Sequence, residues 1–247
     1  MIIILGQGKW GKRLRFDYLT QDKVVRCWSH TMEPFSIKNA EFVVVAIPSP
    51  YVALTISGFS INGFSINPDI PVYSAVKGLD EFGRLPSQTI KHEWKSKNVF
   101  VMGGACISSE KNLQLIIESD VKSLEWAGIL KNVYAIGFNI ERAKNGDNMA
   151  AVWFTKAWEE LKWFVGETAY LADFVATCMS ENSRNAKSGK MIAKGEKRFD
   201  IYCNLEGGIP EGIHTADMLN KYGEKSCIAY DNLPLLRETV EKIVKTK

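Results

Sequence analysis

Gly6-Gln7-Gly8-Lys9-Trp10-Gly11 follows an apolar run, Ile2 to Leu5, and leads into a stretch with helical spacing. A G-x-G-x-x-G in that setting constrains the fold more than any other feature of this chain. The first glycine allows a tight turn, the second lets backbone approach a pyrophosphate, and the third lets helix and strand pack closely. The amides at the helix N-terminus supply partial positive charge for an anion. Gly6, Gly8, Lys9, Trp10 and Gly11 are therefore candidate cofactor contacts, although Trp10 serves equally well as a core residue.

Beyond the loop the chain keeps to the same plan. Short β-branched runs at Val24 to Trp28, Phe42 to Ile47, Val72 to Val76 and Val99 to Met102 alternate with polar or helical stretches. That alternation is the pattern of a parallel sheet wound with helices, and the apolar continuity of the runs suits strands buried on both faces. Trp10 to Thr20, Tyr51 to Ser57 and Pro86 to Lys95 read as helices, and Ser57 to Pro71, rich in Gly, Ser, Asn and Pro, reads as loop. After about residue 122 apolar residues recur three and four apart, and the strands stop. Leu124 to Ile140, Asp147 to Val165, Tyr170 to Cys178, Arg184 to Ala193, Ile213 to Lys221 and Leu233 to Val244 read as helices. The expected architecture is a Rossmann-like α/β N-terminal domain with a parallel-rich sheet, residues 1–122, followed by an all-α C-terminal domain, residues 123–247.

Composition narrows the function classes. No apolar run is long enough to cross a bilayer. The apolar start lacks a preceding basic stretch and is broken after Leu5, which is no signal peptide, so a cytoplasmic protein is expected. Five scattered cysteines without a C-x-x-C pair fit reduced thiols. Three distant histidines offer no zinc spacing, so no metal is expected. A formal charge of +3 from interspersed residues makes no track for nucleic acid.

The second strand ends Cys27-Trp28-Ser29-His30-Thr31, without the Asp or Glu that usually meets a free ribose 2′-hydroxyl. No carboxylate repels a 2′-phosphate there, and no Arg of that segment clamps one. The cofactor is therefore NAD(P), tilted slightly towards NADP, with Ser29 and His30 as candidate contacts. Solvated loop positions are the plain structural alternative for both.

Several stretches, in this order, resemble the NAD(P)-dependent glycerol-3-phosphate dehydrogenase family across nearly the whole chain. They are the glycine loop in its G-x-G-x-W-G form, Val45-Ala46-Ile47-Pro48-Ser49, and Ala75-Val76-Lys77-Gly78-Leu79. Gly128-Ile129-Leu130-Lys131-Asn132-Val133-Tyr134-Ala135-Ile136 resembles the family's lysine-bearing helix, and Gly146-Asp147-Asn148 opens the next one. Ala172 to Cys178 and Ser183-Arg184-Asn185 resemble its substrate-binding segment, and Leu205-Glu206-Gly207 through Thr215 with Leu233-Pro234-Leu235 its tail. The chain departs from the family between Gly103 and Val121, where Gly103-Gly104-Ala105-Cys106-Ile107-Ser108 replaces a G-P-S-type loop and the segment after it is curtailed. The stretch between Trp28 and Glu41 is also short.

The resemblance implies reversible hydride transfer between a nicotinamide and dihydroxyacetone phosphate, a small phosphorylated triose, giving sn-glycerol 3-phosphate. Lys131 becomes the general acid and base, with Lys77 and Asp173 as its catalytic partners. Asn132, Thr177, Ser183, Arg184 and Asn185 bind substrate, while Pro48, Lys77 and Arg184 also touch the cofactor. Each has a plainer alternative: a solvated helix face for Lys131, a turn for Lys77, and an internal hydrogen bond for Asp173 and Thr177, which share one helix face. Capping explains Ser183, but not Arg184, whose charge is mildly unfavourable at a helix start. Another hydroxyacid or ketoacid dehydrogenase of the same plan and a non-catalytic NAD(P)-binding sensor are the competing readings. The resemblance and the aromatics Trp158 and Trp163, which read as exposed, permit a homodimer.

Overall fold

The computed structural model describes residues 1–33, 35–61, 66–104, 116–118, 121–166, 171–205, 208–223 and 232–246. The chain divides into two compact units, Met1–Lys122 and Ser123–Lys247.

The first unit is built on a six-stranded sheet in the order β2-β1-β3-β4-β5-β6. Its strands are β1 (Ile2–Leu5), β2 (Val25–Trp28), β3 (Phe42–Val45), β4 (Val72–Ser74), β5 (Val99–Gly103) and β6 (Ile116–Glu118). The first five run parallel, with Ile4 opposite Cys27 on one side and Val44 on the other, and β6 pairs antiparallel to β5. Alternation along β1 sends Ile3 and Leu5 to one face and Ile2 and Ile4 to the other. Helices α2 (Val52–Ile61) and α3 (Pro86–Trp94) cover the first face through Val52, Ile56, Phe59, Ile90 and Trp94. Helix α1 (Lys9–Leu19) covers the second through Leu14. Both faces are buried at β1 and β3, which is why these strands read as continuous apolar runs. The usual dinucleotide-binding sheet carries a further strand outside the second one. Here β2 forms the edge of the sheet.

The second unit is helical. A 45-residue span, α4 (Val121–Val165), is broken at Gly146, whose φ of 83° and ψ of 178° lie outside the helical region and suit only glycine. The two arms fold back on each other, with edge-on ring contacts of Trp126 with Phe164, Tyr134 with Trp153 and Phe138 with Phe154. Each such pair contributes about 0.5–1.5 kcal/mol beyond area burial. Helices α5 (Leu171–Met179), α6 (Arg184–Ala193), α7 (Arg198–Asn204), α8 (Glu211–Tyr222) and α9 (Pro234–Val244) complete the described part of the unit. Glu160 accepts hydrogen bonds from Tyr134 Oη and from the Leu235 and Leu236 amides, so it caps α9.

The structure corrects some sequence expectations. Helix α2 continues through Gly58 and Ser60 into the stretch read as loop, because Ile56 and Phe59 are needed in the core. Strands β3 and β4 end two residues early, a difference of the size that element ends ordinarily show. Strand β6 and helix α7 are additional elements. Trp158 is half-buried against Phe174, whereas Trp163 is exposed. Ala105 to Ser108, Tyr170, Glu206, Gly207 and Cys227 lie outside the described residues.

Candidate functional site

In the first unit the chain leaves β1 through Gly6, with φ +113°. A Cβ at Gly6 would lie 2.3 Å from the Ala46 carbonyl oxygen, and one at Gly11 would lie 2.0 Å from the Gly6 oxygen. Those two glycines allow backbone to close on backbone. At Gly8 a Cβ would meet nothing within 4 Å, so the middle glycine faces open space. Gly8 is the N-cap of α1 and brings no side chain to it, and the first turn holds no acidic residue. First-turn amides, which a helix leaves without acceptors of its own, beside an uncluttered glycine suit a pyrophosphate, so the residues present fit a dinucleotide.

The neighbouring loops carry the remaining candidates of this unit. The Ala46 amide donates to Leu5 O and the Gly6 amide to Trp28 O, which gathers the C-terminal ends of β1, β2 and β3. Pro48 is exposed just past β3, and His30 is exposed just past β2. Ser29 shares a hydrogen bond of 2.9 Å with Thr31. Lys9 is exposed on the first turn of α1, while Trp10 is half-buried with its indole N–H unpaired among the described residues. Lys77 Nζ lies 5.4 Å from the Trp10 ring centroid, within cation–π range, so two candidates from separate motifs meet.

Sequence reasoning missed what holds Lys77 in place. Asp80, fully buried, accepts from the Phe82 and Arg84 amides, from Arg84 Nε at 2.9 Å and from Thr89 Oγ1 at 2.6 Å. Glu81 accepts from the Ala53 and Leu54 amides at the start of α2. The turn after β4 is thereby tied to α2 and α3. The signal was an acidic pair directly after Lys77-Gly78-Leu79.

In the second unit Lys131 and Asp173 form a buried ion pair, Nζ donating to Oδ2, with the residues 3% and 6% exposed. Cys178 lies near the same pair, and burial pushes its thiol well above the usual range, outweighing the Lys131 charge, which lowers it. Thr177, one turn from Asp173, donates its hydroxyl to the Asp173 carbonyl at 2.7 Å. Asn185 Nδ2 donates to Asn132 Oδ1 at 2.9 Å, Asn185 Oδ1 accepts from the Gly212 amide, and Asn132 Nδ2 donates to Gly128 O. A Cβ at Gly212 would sit 2.5 Å from the Asn132 carbonyl oxygen, so α8 rests directly on α4 at that point.

The two asparagines thus tie α4, α6 and α8 together one residue beyond Lys131 and Arg184. Ser183 caps α6 by accepting from the Ala186 amide. Arg184 opens that helix half-buried and donates to Gly208 O at 3.3 Å. The arrangement offers a buried ammonium held by a carboxylate, and a helix start carrying a guanidinium.

A glycine-loop α/β unit followed by a helical unit with a buried Lys–Asp pair defines the class of two-unit NAD(P)-dependent dehydrogenases. Residues 120–247 match the model of the NAD-dependent glycerol-3-phosphate dehydrogenase C-terminus. The chain belongs to the NAD-dependent glycerol-3-phosphate dehydrogenase family. It is 27% identical over 285 residues to the glycerol-3-phosphate dehydrogenase [NAD(P)+] of Synechocystis, covering 96% of this chain and 86% of the relative. It is 28% identical over 292 residues to that of Acaryochloris marina, covering 99% and 90%. The solved glycerol-3-phosphate dehydrogenase of Coxiella burnetii shares the fold, with a TM-score of 0.78 at 19% identity, covering 99% of this chain and 97% of that one.

Proposed function

We propose that this chain interconverts dihydroxyacetone phosphate and sn-glycerol 3-phosphate with NAD(P)H. The observation that carries the reading is the buried Lys131–Asp173 pair in the unit whose helix α6 Arg184 opens. When bound, the nicotinamide supplies or accepts the hydride. In reduction, negative charge grows on the carbonyl oxygen, and the Lys131 ammonium stabilises it and donates the proton. In oxidation, Lys131 Nζ takes the hydroxyl proton. Asp173 fixes the direction of Nζ, while Arg184 takes the substrate phosphate in a bidentate contact. Asn132 and Asn185 hold the two helices that carry these groups and are assigned substrate contacts, as are Thr177 and Ser183. Lys77 is assigned to substrate and cofactor, and Pro48, Lys9, Trp10, Ser29 and His30 to the cofactor.

The direct test follows NADH and NADPH absorbance on addition of dihydroxyacetone phosphate. Oxidation of either is expected; turnover of simple ketoacids with none of the phosphorylated triose would reject the reading. Arg184→Ala is expected to weaken substrate binding by roughly 2–5 kcal/mol, because it truncates one partner of a charged contact. Nucleotide affinity should fall by less, because Arg184 is also assigned a cofactor contact. Isothermal titration of both ligands checks this, and a loss confined to nucleotide would remove Arg184 from the substrate site.

We further assign a homodimer contact to Leu171, Val175 and Met179, an exposed apolar row at four-residue intervals along α5, with exposed Trp163 on α4. Sedimentation equilibrium should return twice the chain mass at micromolar concentration, and a monomer there rejects the contact. No helix among the described residues is long and apolar enough to cross a membrane. Cys27, Cys178 and Cys203 are free thiols, which supports a cytoplasmic setting. Cell fractionation checks that assignment.

A further inference from the structure

Because β2 is the edge of the sheet, no described strand continues the sheet beyond it, and the outer side of α1 is left uncovered: Phe16 is 63% and Leu19 46% exposed. A cleft of about 280 Å³ lies there, lined by Gln7, Gly11, Lys12, Arg15 and Cys27 among others. Gln7 and Gly11 belong to the glycine loop, so the cleft continues the dinucleotide cradle outwards. Its volume is below the usual range of about 300–1,000 Å³ for a whole small ligand, and so it suits one portion of a larger ligand.

Beyond Lys9 on the first turn, three cations stand on this helix: Lys12, Arg13 and Arg15. Arg13 is occupied by Asp17, reaching both carboxylate oxygens at 3.0 Å. Lys12 and Arg15 form no ion pair with a described residue. Arg15 lies close enough to the β2 edge that its charge opposes the rise in the Cys27 thiol caused by burial. Among the described residues the cleft lining contains no carboxylate. At the end of β2 the residues are Ser29 and His30, where an acid would select a free 2′-hydroxyl.

We propose that Lys12 and Arg15 hold the ribose 2′-phosphate of NADP in this cleft, making α1 the element that selects the cofactor. The inference rests on the reading of the glycine loop as a dinucleotide site. A cationic clamp on α1 replaces the more usual one directly after β2, where Ser29 to Glu33 contain no Lys or Arg. The guanidinium gives two parallel donors to phosphate oxygens, and Lys12 adds a second charge.

Dissociation constants for NADPH and NADH, measured by isothermal titration on the wild-type chain and on Arg15→Leu and Lys12→Gln, test this. Both side chains are solvent-accessible, and thermal unfolding of each variant should match wild type. Arg15→Leu should weaken NADPH by about tenfold or more, equivalent to about 1.4 kcal/mol, and leave NADH within about twofold. Lys12→Gln should act in the same direction by a smaller factor. The wild-type preference for NADPH should shrink as salt is raised. An unchanged ratio of NADPH to NADH affinity in Arg15→Leu overturns the proposal while leaving the glycine loop as the dinucleotide site. Wild-type binding of neither dinucleotide overturns that underlying reading, and this proposal with it.

Discussion

Lys131→Met is expected to lower turnover by at least about 10²–10⁴-fold, the usual worth of a positioned acid–base group, with lost stabilisation of the developing alkoxide adding to that. Burial adds a second effect. The substitution leaves the Asp173 carboxylate enclosed without its partner, which costs about 3–5 kcal/mol. Lys131→Met/Asp173→Leu removes both charges and should recover most of the stability while remaining inactive. Chemical denaturation and steady-state kinetics on the two variants separate the roles. Oxidation of sn-glycerol 3-phosphate should accelerate as the Lys131 ammonium loses its proton, and that limb of the pH profile should vanish in both. A loss below tenfold in a folded single variant, or persistence of the limb, assigns the proton transfer elsewhere.

Gly8→Val is expected to remove nucleotide binding and leave the fold intact. The Cβ position at Gly8 is open within 4 Å, so the protein itself accommodates a side chain there. The space that the side chain fills is the approach to the α1 amides, which a pyrophosphate needs. Gly11→Val is the contrasting case, since its Cβ would collide with the Gly6 backbone and the first unit should be destabilised. Titration of NADPH into folded Gly8→Val with wild-type affinity would show that the loop does not cradle the dinucleotide.

Strands β1 and β3 are legible because both of their faces are buried, so Ile2 to Leu5 and Phe42 to Val45 need no polar alternation. Strand β6 is not: three residues paired at an edge carry no period. Helix α7 buries Ile201 but is too short for a repeating stripe. The α4 break is legible at Gly146-Asp147, where a residue free to leave helical geometry precedes an acidic helix start. Lys131 was reachable only by likeness to a family, because a lysine on a helix reads as solvated by residue type. Its burial comes with an Asp 42 positions on, a tertiary fact no local spacing reveals. Thr177 illustrates the reverse. Its spacing from Asp173 places both on one helix, and the plainer internal hydrogen bond is present.

The turn at Gly146 also bears on the order in which the second unit assembles. The ring pairs across the two arms of α4 join positions within one stretch of chain, so the arms can zip with small loop-closure entropy and without waiting for distant segments. The platform beneath Lys131 can therefore form as a local hairpin, and its counter-ion arrives when α5 docks. Amides of α4 should be the slowest of the second unit to exchange with deuterium, and those of α5 should open earlier. A nascent chain would then carry Lys131 on a formed scaffold before the Asp173 carboxylate is in place to pair with it.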